Sequence, residues 1–470
     1  MSSSKQQLER QWRGIQNGVV YARAPYSPAM KLKMATRRAW IGVVALFAAG
    51  CSLEGGVTDP GAENPIEVTL DFCSNDIPVW FAHQSSNGPW EVITPNAAGT
   101  YTFTATNRAA VAFVHQDGAD YKTDMIFTSN LDLQALSGLT CVEEGGAKQV
   151  NGNVSGLIGS ELALVGMSFS SVYLTAVQTA FTLTQLVDRP VDLIASRIDV
   201  NGAQQHANKT VIRRNQTPAS GSTMASINFD AEGVVPGFEA VNLNGVGSGD
   251  AAFLYNNFFS SLETSHTLSF VDGVSNGFMP FVALPASQLV AGDYHDLFVV
   301  AAQANGRSRG IERFYRNPSS LALTLGPPLA EPQVILVTTN PRPRLRVLLA
   351  GQIDYSTMIT TDFSQQSTFS SIDLSMSVTA SYFGGTPIEW SIQVPSLTGI
   401  TGWQDAWELK SGNISWTVTG YFGRPQLLFG AKPDTLETVV FASASSSLAA
   451  AQAHRVGRAT PLPRYFPRLR

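Results

Sequence analysis

A chain of 470 residues is too long for one hydrophobic core, and an apolar content of 44% is enough to build several. Only 14% of residues are charged, and 40 glycines and 25 prolines favour strands and turns over helices. The net charge of −5 conceals a partition: both ends are basic, whereas residues 51–450 carry 18 Lys/Arg against 35 Asp/Glu, a net of −17. An acidic body of this kind repels phosphate backbones, which excludes nucleic acid as a partner.

The first element is RRAWIGVVALFAAGC, residues 37–51. Its apolar run of about 12 residues reaches roughly 18 Å as a helix, against about 30 Å of bilayer hydrocarbon, and is too short to span. Basic residues in front, an apolar middle and small residues behind are the parts of a secretory signal peptide. The end, Phe47-Ala48-Ala49-Gly50-Cys51, resembles a bacterial lipobox, with Ala48 where that motif usually has Leu. The resemblance implies that Cys51 is lipidated and becomes the new N-terminus, held by more than one acyl chain, as stable anchoring requires. The other reading is an ordinary signal peptide that releases a soluble protein. Lipoproteins kept in the inner membrane often carry Asp after the cysteine; Ser52 stands there, so the resemblance favours the outer membrane. The leader is expected over residues 1–50, with Met30 or Met34 as a more natural start than Met1.

Residues 51–65, rich in Gly, Pro and acids, read as a flexible tether. From Ile66 short alternating strands follow, IEVTLDF, TYTFTAT, AVAFVHQ and DMIFTSN, separated by turn residues. They predict a β-sandwich over residues 66–145. Cys73 and Cys141 remain once Cys51 is assigned, and in an exported protein such a pair is expected to be bridged, a loop closure worth about 4 kcal/mol in the chain-entropy estimate. Neither has a second Cys or His at ligand spacing, so no metal is expected.

A second unit is expected over residues 146–215. VNGNVSGLIG, then AFTLTQLVDRPVDLIAS, is similar to the small transthyretin-like carboxypeptidase regulatory-like domain, which implies a non-catalytic sandwich. A third unit is expected over 216–328. Its Ala291-Gly292-Asp293-Tyr294 echoes Ala98-Gly99-Thr100-Tyr101, each turn delivering a tyrosine into a strand, and both resemble the tyrosine corner of immunoglobulin-like sandwiches. A fourth, antiparallel unit is expected over 329–450. There Ile372, Leu374, Met376, Val378 and Ala380 interleave with Asp373, Ser375, Ser377 and Thr379, one face buried and one wet. VTASYFGGTP and TVTGYFGRP, near-copies, read as consecutive meander strands. The Pro- and Arg-rich end, residues 451–470, reads as a disordered basic tail. The fold class is therefore all-β: tandem β-sandwich domains after a cleaved lipoprotein signal peptide. A porin-like barrel also alternates, but the leader and the Arg terminus argue against it.

Catalytic motifs are few. Gly273-Val274-Ser275-Asn276-Gly277 fits the G-x-S-x-G elbow, with Asp293 and His295 following in hydrolase order. The elbow needs a helix after the serine, whereas FMPFVALPASQ reads as loop and strand; Asp293 and His295, two residues apart on a strand, are badly placed to orient one another. Asn244-Gly245-Val246-Gly247-Ser248-Gly249 lacks the lysine and spacing of a phosphate loop and reads as a turn. The histidines 83, 115, 206, 266, 295 and 454 are scattered, and Asp117-Gly118-Ala119-Asp120 has too few ligands for calcium. Trp80, Trp90, Trp403 and Trp407 lie in loop-rich stretches, where exposed rings would form a platform for sugars or an interface anchor, and buried ones a core. The sequence thus points to a non-catalytic envelope protein without cofactor or metal, lipid-anchored and partnered by envelope proteins or glycans. The alternatives are a glycan binder using the tryptophans and a serine hydrolase using Ser275.

Overall fold

The computed structural model describes residues 65–448 apart from 73–76, 87, 97–98, 137–147, 169, 187–188, 201–203, 275–276, 339–341, 368–369, 425–426, 428–432 and 434–436. The described chain is all-β, with two short helices, Asn130–Leu136 and Phe229–Glu232, and a few 3-10 turns.

Its backbone is one 16-stranded sheet that serves as a spine. From one edge it runs through Glu91–Val92, Trp80–Ser85, Arg108–Asp117 and Asp120–Ser129. Next come Ser371–Thr379, Met358–Gln366, Ile414–Phe422 and Glu437–Leu448, then Arg307–Tyr315, Tyr294–Ala302, Ala251–Phe259 and Ser265–Val274. It ends on Gln204–Gln216, Val191–Asp199, Leu162–Met167 and Ser170–Thr175. The four stretches of chain therefore stand along the spine in the order first, fourth, third, second. Four small sheets form the second layer: Ile66–Asp71 with Thr100–Ala105; Ala180–Leu186, Lys148–Ser155, Ser222–Thr223 and Ile227–Asn228; Phe278–Ala283, Gly237–Asn244 and Leu321–Thr324; and Gln333–Thr338, Arg344–Ala350 and Glu389–Gln393.

Each small sheet closes a sandwich by burying one face of the spine, as alternating strands require. In the second, which runs past the expected boundary at 215 because Ser222–Thr223 and Ile227–Asn228 pair with Lys148–Ser155, Val150, Phe181, Leu183 and Ile227 meet Val165, Leu193, Ala195 and Val211. In the third, Val241, Met279 and Phe281 meet Leu254, Leu297, Val299 and Ile311. The first and fourth share a single core, in which Val68, Tyr101 and Phe113 belong to the same cluster as Leu345, Leu374 and Trp390. The two abut where the spine pairs residues 121–127 in parallel with 372–378, and strand Asp120–Ser129 is buried at successive positions, on both of its faces.

The alternation predicted over 372–380 appears in strand Ser371–Thr379, where Ile372, Leu374, Met376 and Val378 are buried. Ser377 and Thr379, expected to be wet, are buried too. The Thr379 hydroxyl donates to Thr128 Oγ1 at 2.9 Å, in the seam where the first unit abuts the fourth. Tyr382-Phe383 and Tyr421-Phe422, expected in neighbouring strands, are separated: the first pair lies in the 3-10 turn Ala380–Phe383, and Met358–Gln366 stands between the two strands. Gly99 and Gly292 take φ of +80° and +88°, so the two echoed turns each need the left-handed freedom of glycine.

Candidate functional site

The four tryptophans singled out in the sequence do not form a platform. Trp80, Trp90 and Trp407 are buried, and Trp403 is half-buried. Three of them, from opposite ends of the chain, meet: the Trp80 ring lies edge-on to Trp403 at 5.0 Å and 6.2 Å from Trp407, and Trp403 is edge-on to Trp407 at 5.2 Å. Trp80 Nε1 donates to the Thr401 carbonyl at 3.0 Å and Trp403 Nε1 to Glu408 Oε1 at 2.8 Å. This cluster mortises the first unit to the fourth, as core aromatics do.

The hydrolase-like residues have structural partners. Ser275 lies outside the described residues, and strand Phe278–Ala283, not a helix, follows it. The Asp293 carboxylate accepts from Arg214 Nη2 at 2.6 Å and from the backbone N–H groups of Ser261 and Val290 at 2.7 and 3.0 Å. His295 Nε2 accepts from the Leu284 N–H at 3.1 Å, and its ring stacks on Tyr315 at 4.9 Å. Burial pushes this imidazole down to about 4. His266 is pushed down to about 3 by burial, with Nε2 at 2.8 Å from Ser196 Oγ. Among the described residues no group of three or more His, Cys, Asp or Glu could hold a metal. The glycine-dense stretch is a turn, tied where Asp250 accepts from the Gly247 N–H at 2.7 Å and pairs with Arg309 at 2.6 Å. Cys51, Cys73 and Cys141 all lie outside the described residues.

Sequence reasoning missed a row of aromatic side chains on the outer face of the third unit. Cross-strand register sets Phe298 opposite Tyr255 and Tyr255 opposite Phe270, on three adjacent strands. Their neighbours Leu254, Leu297 and Val271 point into the core, so alternation turns these rings the other way. All three are half-buried; Phe298 packs against the core shared by the first and fourth units, whereas Tyr255 and Phe270, like Phe253 beside them, belong to none of the buried clusters. The Tyr255 and Phe270 centroids are 4.8 Å apart, and Phe298 stacks on Phe441 at 5.4 Å and 15°. Gly310 makes that second stack possible, since a Cβ there would lie 2.2 Å from Phe441 Cζ. Burial, with Asp272 and the hydroxyl of Tyr173 from the second unit nearby, raises the Tyr255 phenol to about 12. Glu312 stands opposite Phe298 at one end of the row and Gln205 opposite Phe270 at the other. The available signal was AAFLYNNFF, apolar at successive positions, which in a strand puts large side chains on both faces.

No family model matches the sequence. No curated protein matches it either. Among solved structures it is similar to the Bacillus anthracis TIE protein, at 8% identity over 76% of this chain, with a TM-score of 0.13. The alignment spans 63% of that chain's length.

Chemically, the row offers aromatic faces beside carboxylate, amide and phenol groups.

Proposed function

We propose that the protein is a non-catalytic module of the cell envelope, exported, lipid-anchored through Cys51 and acting in binding or scaffolding at the outer membrane. The observation that carries this reading is the spine: four sandwiches share one sheet, which makes an extended scaffold. The acid and base candidates Asp293 and His295 are committed to structural bonds, which weakens the hydrolase alternative. The glycan alternative loses its tryptophans to packing and would have to use another surface.

The test is cross-linking and recovery of the full-length protein from its native envelope, alongside Cys51→Ala. A defined envelope partner, recovered with the anchored protein and lost with the Cys51→Ala form, is the expected outcome. Equal distribution of both forms in the soluble fraction would overturn the anchor. Serine-hydrolase activity abolished by Ser275→Ala would overturn the non-catalytic reading.

A further inference from the structure

We infer that the outer face of the fourth unit's small sheet, at Ile335, Val337, Arg344 and Arg346, docks onto a bilayer surface of anionic lipid headgroups. This rests on the proposed anchor at Cys51 and adds the face that the anchored body turns to the membrane.

Strand Gln333–Thr338 is the edge of that sheet and, among the described residues, pairs only with Arg344–Ala350. Its Ile335, Leu336 and Val337 are exposed, three large apolar side chains in a row at an open rim. On the next strand Leu345, Val347 and Leu349 enter the core, so alternation turns Arg344, Arg346 and Leu348 outward. Register sets Ile335 opposite Arg346 and Thr338 opposite Arg344. The face is therefore apolar at its edge and cationic one strand inward.

Both cations are available to a ligand. Among the described residues the Arg344 side chain has no ion-pair or hydrogen-bond partner. Arg346 Nε and Nη2 donate to Ser391 Oγ at 3.0 and 2.7 Å, which fixes the guanidinium on the face without neutralising it. Arg342, by contrast, is held by Asp405 and Glu408. Neighbouring carboxylates do not cancel the pair: Glu331 is bridged to Arg307, and Glu389 stands opposite Ala350, about 13 Å along its strand from the register of Arg346.

Arginines beside exposed aliphatic side chains match phosphate headgroups over acyl chains. Guanidinium pairs with phosphate, while Ile, Leu and Val side chains gain by leaving water. A strand of another chain fits less well. The register shifts between Leu336 and Thr338, and Pro332 precedes the strand; bulges and prolines at an edge are devices that prevent pairing. Two copies joined along this edge would also turn their arginine rows toward one another. A soluble anionic polymer would pair the arginines but leave the apolar rim in water.

The charge of the body orients it. With a net of −17 over residues 51–450, the body as a whole is repelled by an anionic surface, whereas this face is drawn to it, and charges beyond about 8 Å are screened at physiological salt. The tether enters the first unit at Ile66, and the first unit pairs with the fourth. Residues 51–65 span at most about 50 Å when fully extended. An anchored body held this close needs only a weak second contact to lie down on the surface.

The experiment is hydrogen exchange of the full-length protein from its native envelope, reconstituted in vesicles of phosphatidylethanolamine with phosphatidylglycerol and, separately, of phosphatidylcholine alone. Flotation of the vesicles reports the anchor. Amides of residues 333–338 should exchange at least about tenfold more slowly on the anionic vesicles, a difference that high salt removes. Arg344→Gln, which breaks no bond within the described residues, should reduce the effect about fivefold, and adding Arg346→Gln should abolish it. Ile335→Thr with Val337→Thr, which keeps β-branched side chains in the strand, should weaken it as well. Equal exchange in both preparations, with the protein floating in both, overturns this face and leaves the anchor standing. Slowing that follows protein density instead of phosphatidylglycerol marks two copies paired along the edge, and slowing that the arginine variants preserve marks a different contact; either overturns the inference. Protein that floats with neither vesicle removes the anchor and this face together.

Discussion

The joint between the first and fourth units and the joint between the second and third mix apolar and polar contact in different proportions. At the first, residues 121–127 pair with 372–378 and the seam is filled by Trp80, Trp403 and Trp407 within a shared apolar core. At the second, only residues 204–206 pair with 269–271, and a small apolar cluster of Ile194, Ala207, Phe258, Leu268, Val282 and Leu284 is laced with buried polar groups. Arg214 bridges Asp192 at 2.8 Å and Asp293 at 2.6 Å, His266 meets Ser196, and the Ser168 N–H donates to Thr264 Oγ1 at 3.1 Å. A joint that is mostly apolar gains from area and tolerates pH and salt; one laced with buried polar groups depends on every partner being present. The difference teaches that one continuous sheet need not be one uniform cooperative body.

Two substitutions would separate the joints most sharply. Trp407→Ala removes a buried ring from the first joint and should cost about 3–5 kcal/mol. Hydrogen exchange should then rise first in strands Trp80–Ser85 and Ser371–Thr379, with the second unit unchanged. Arg214→Ala leaves the buried carboxylates of Asp192 and Asp293 without their cation, at a cost of about 3 kcal/mol. Its calorimetric signature should be an early transition confined to the second and third units. A single transition shifted equally by both variants would show that the joints are not distinct.

How much of this was legible in the sequence differs from region to region. Local alternation announced the strands, and strand Ser371–Thr379 buries the predicted apolar face. The spine order was not legible, because the pairing of 121–127 with 372–378 joins segments some 250 residues apart and leaves no local pattern. That same pairing explains why Ser377 and Thr379 are buried and why the tryptophans pack. Strand Ala251–Phe259 shows the reverse case: its run AAFLY was visible, but only the position of the core showed that Phe253 and Tyr255 point away from it.

Acid should open the polar joint next. His266 and His295 are buried and neutral, held down to about 3 and about 4. The unfolded chain binds protons at these positions from about pH 6.5 downward while the folded chain does not, so their contribution is intact above pH 6.5 and is lost as pH falls toward 4. The loss should reach a few kcal/mol in urea titrations followed by hydrogen exchange of the third unit. In the first unit His83 is also lowered by burial, but Glu91 at 3.3 Å opposes the shift, so acid should act there less. His266→Gln, which keeps a side-chain partner for Ser196, should flatten the acid limb. An unaltered limb would place the sensitivity elsewhere.

The smallest effect is expected one residue from one of the largest. Arg213 and Arg214 are consecutive on strand Gln204–Gln216 and therefore point to opposite faces. Arg214 reaches across to the third unit; Arg213 stays within the second, paired with Glu232 at 2.9 Å and donating to the carbonyls of Ala225 and Ser226 at 2.7 Å. Glu232 is held below the usual carboxylate range chiefly by its hydrogen bond from Arg213. Because water reaches this pair, Arg213→Ala should cost about 1 kcal/mol and fade in high salt. If it instead costs as much as Arg214→Ala, the loss comes from the strand that carries both arginines, and the buried bridge to Asp293 is not what holds the third unit to the second.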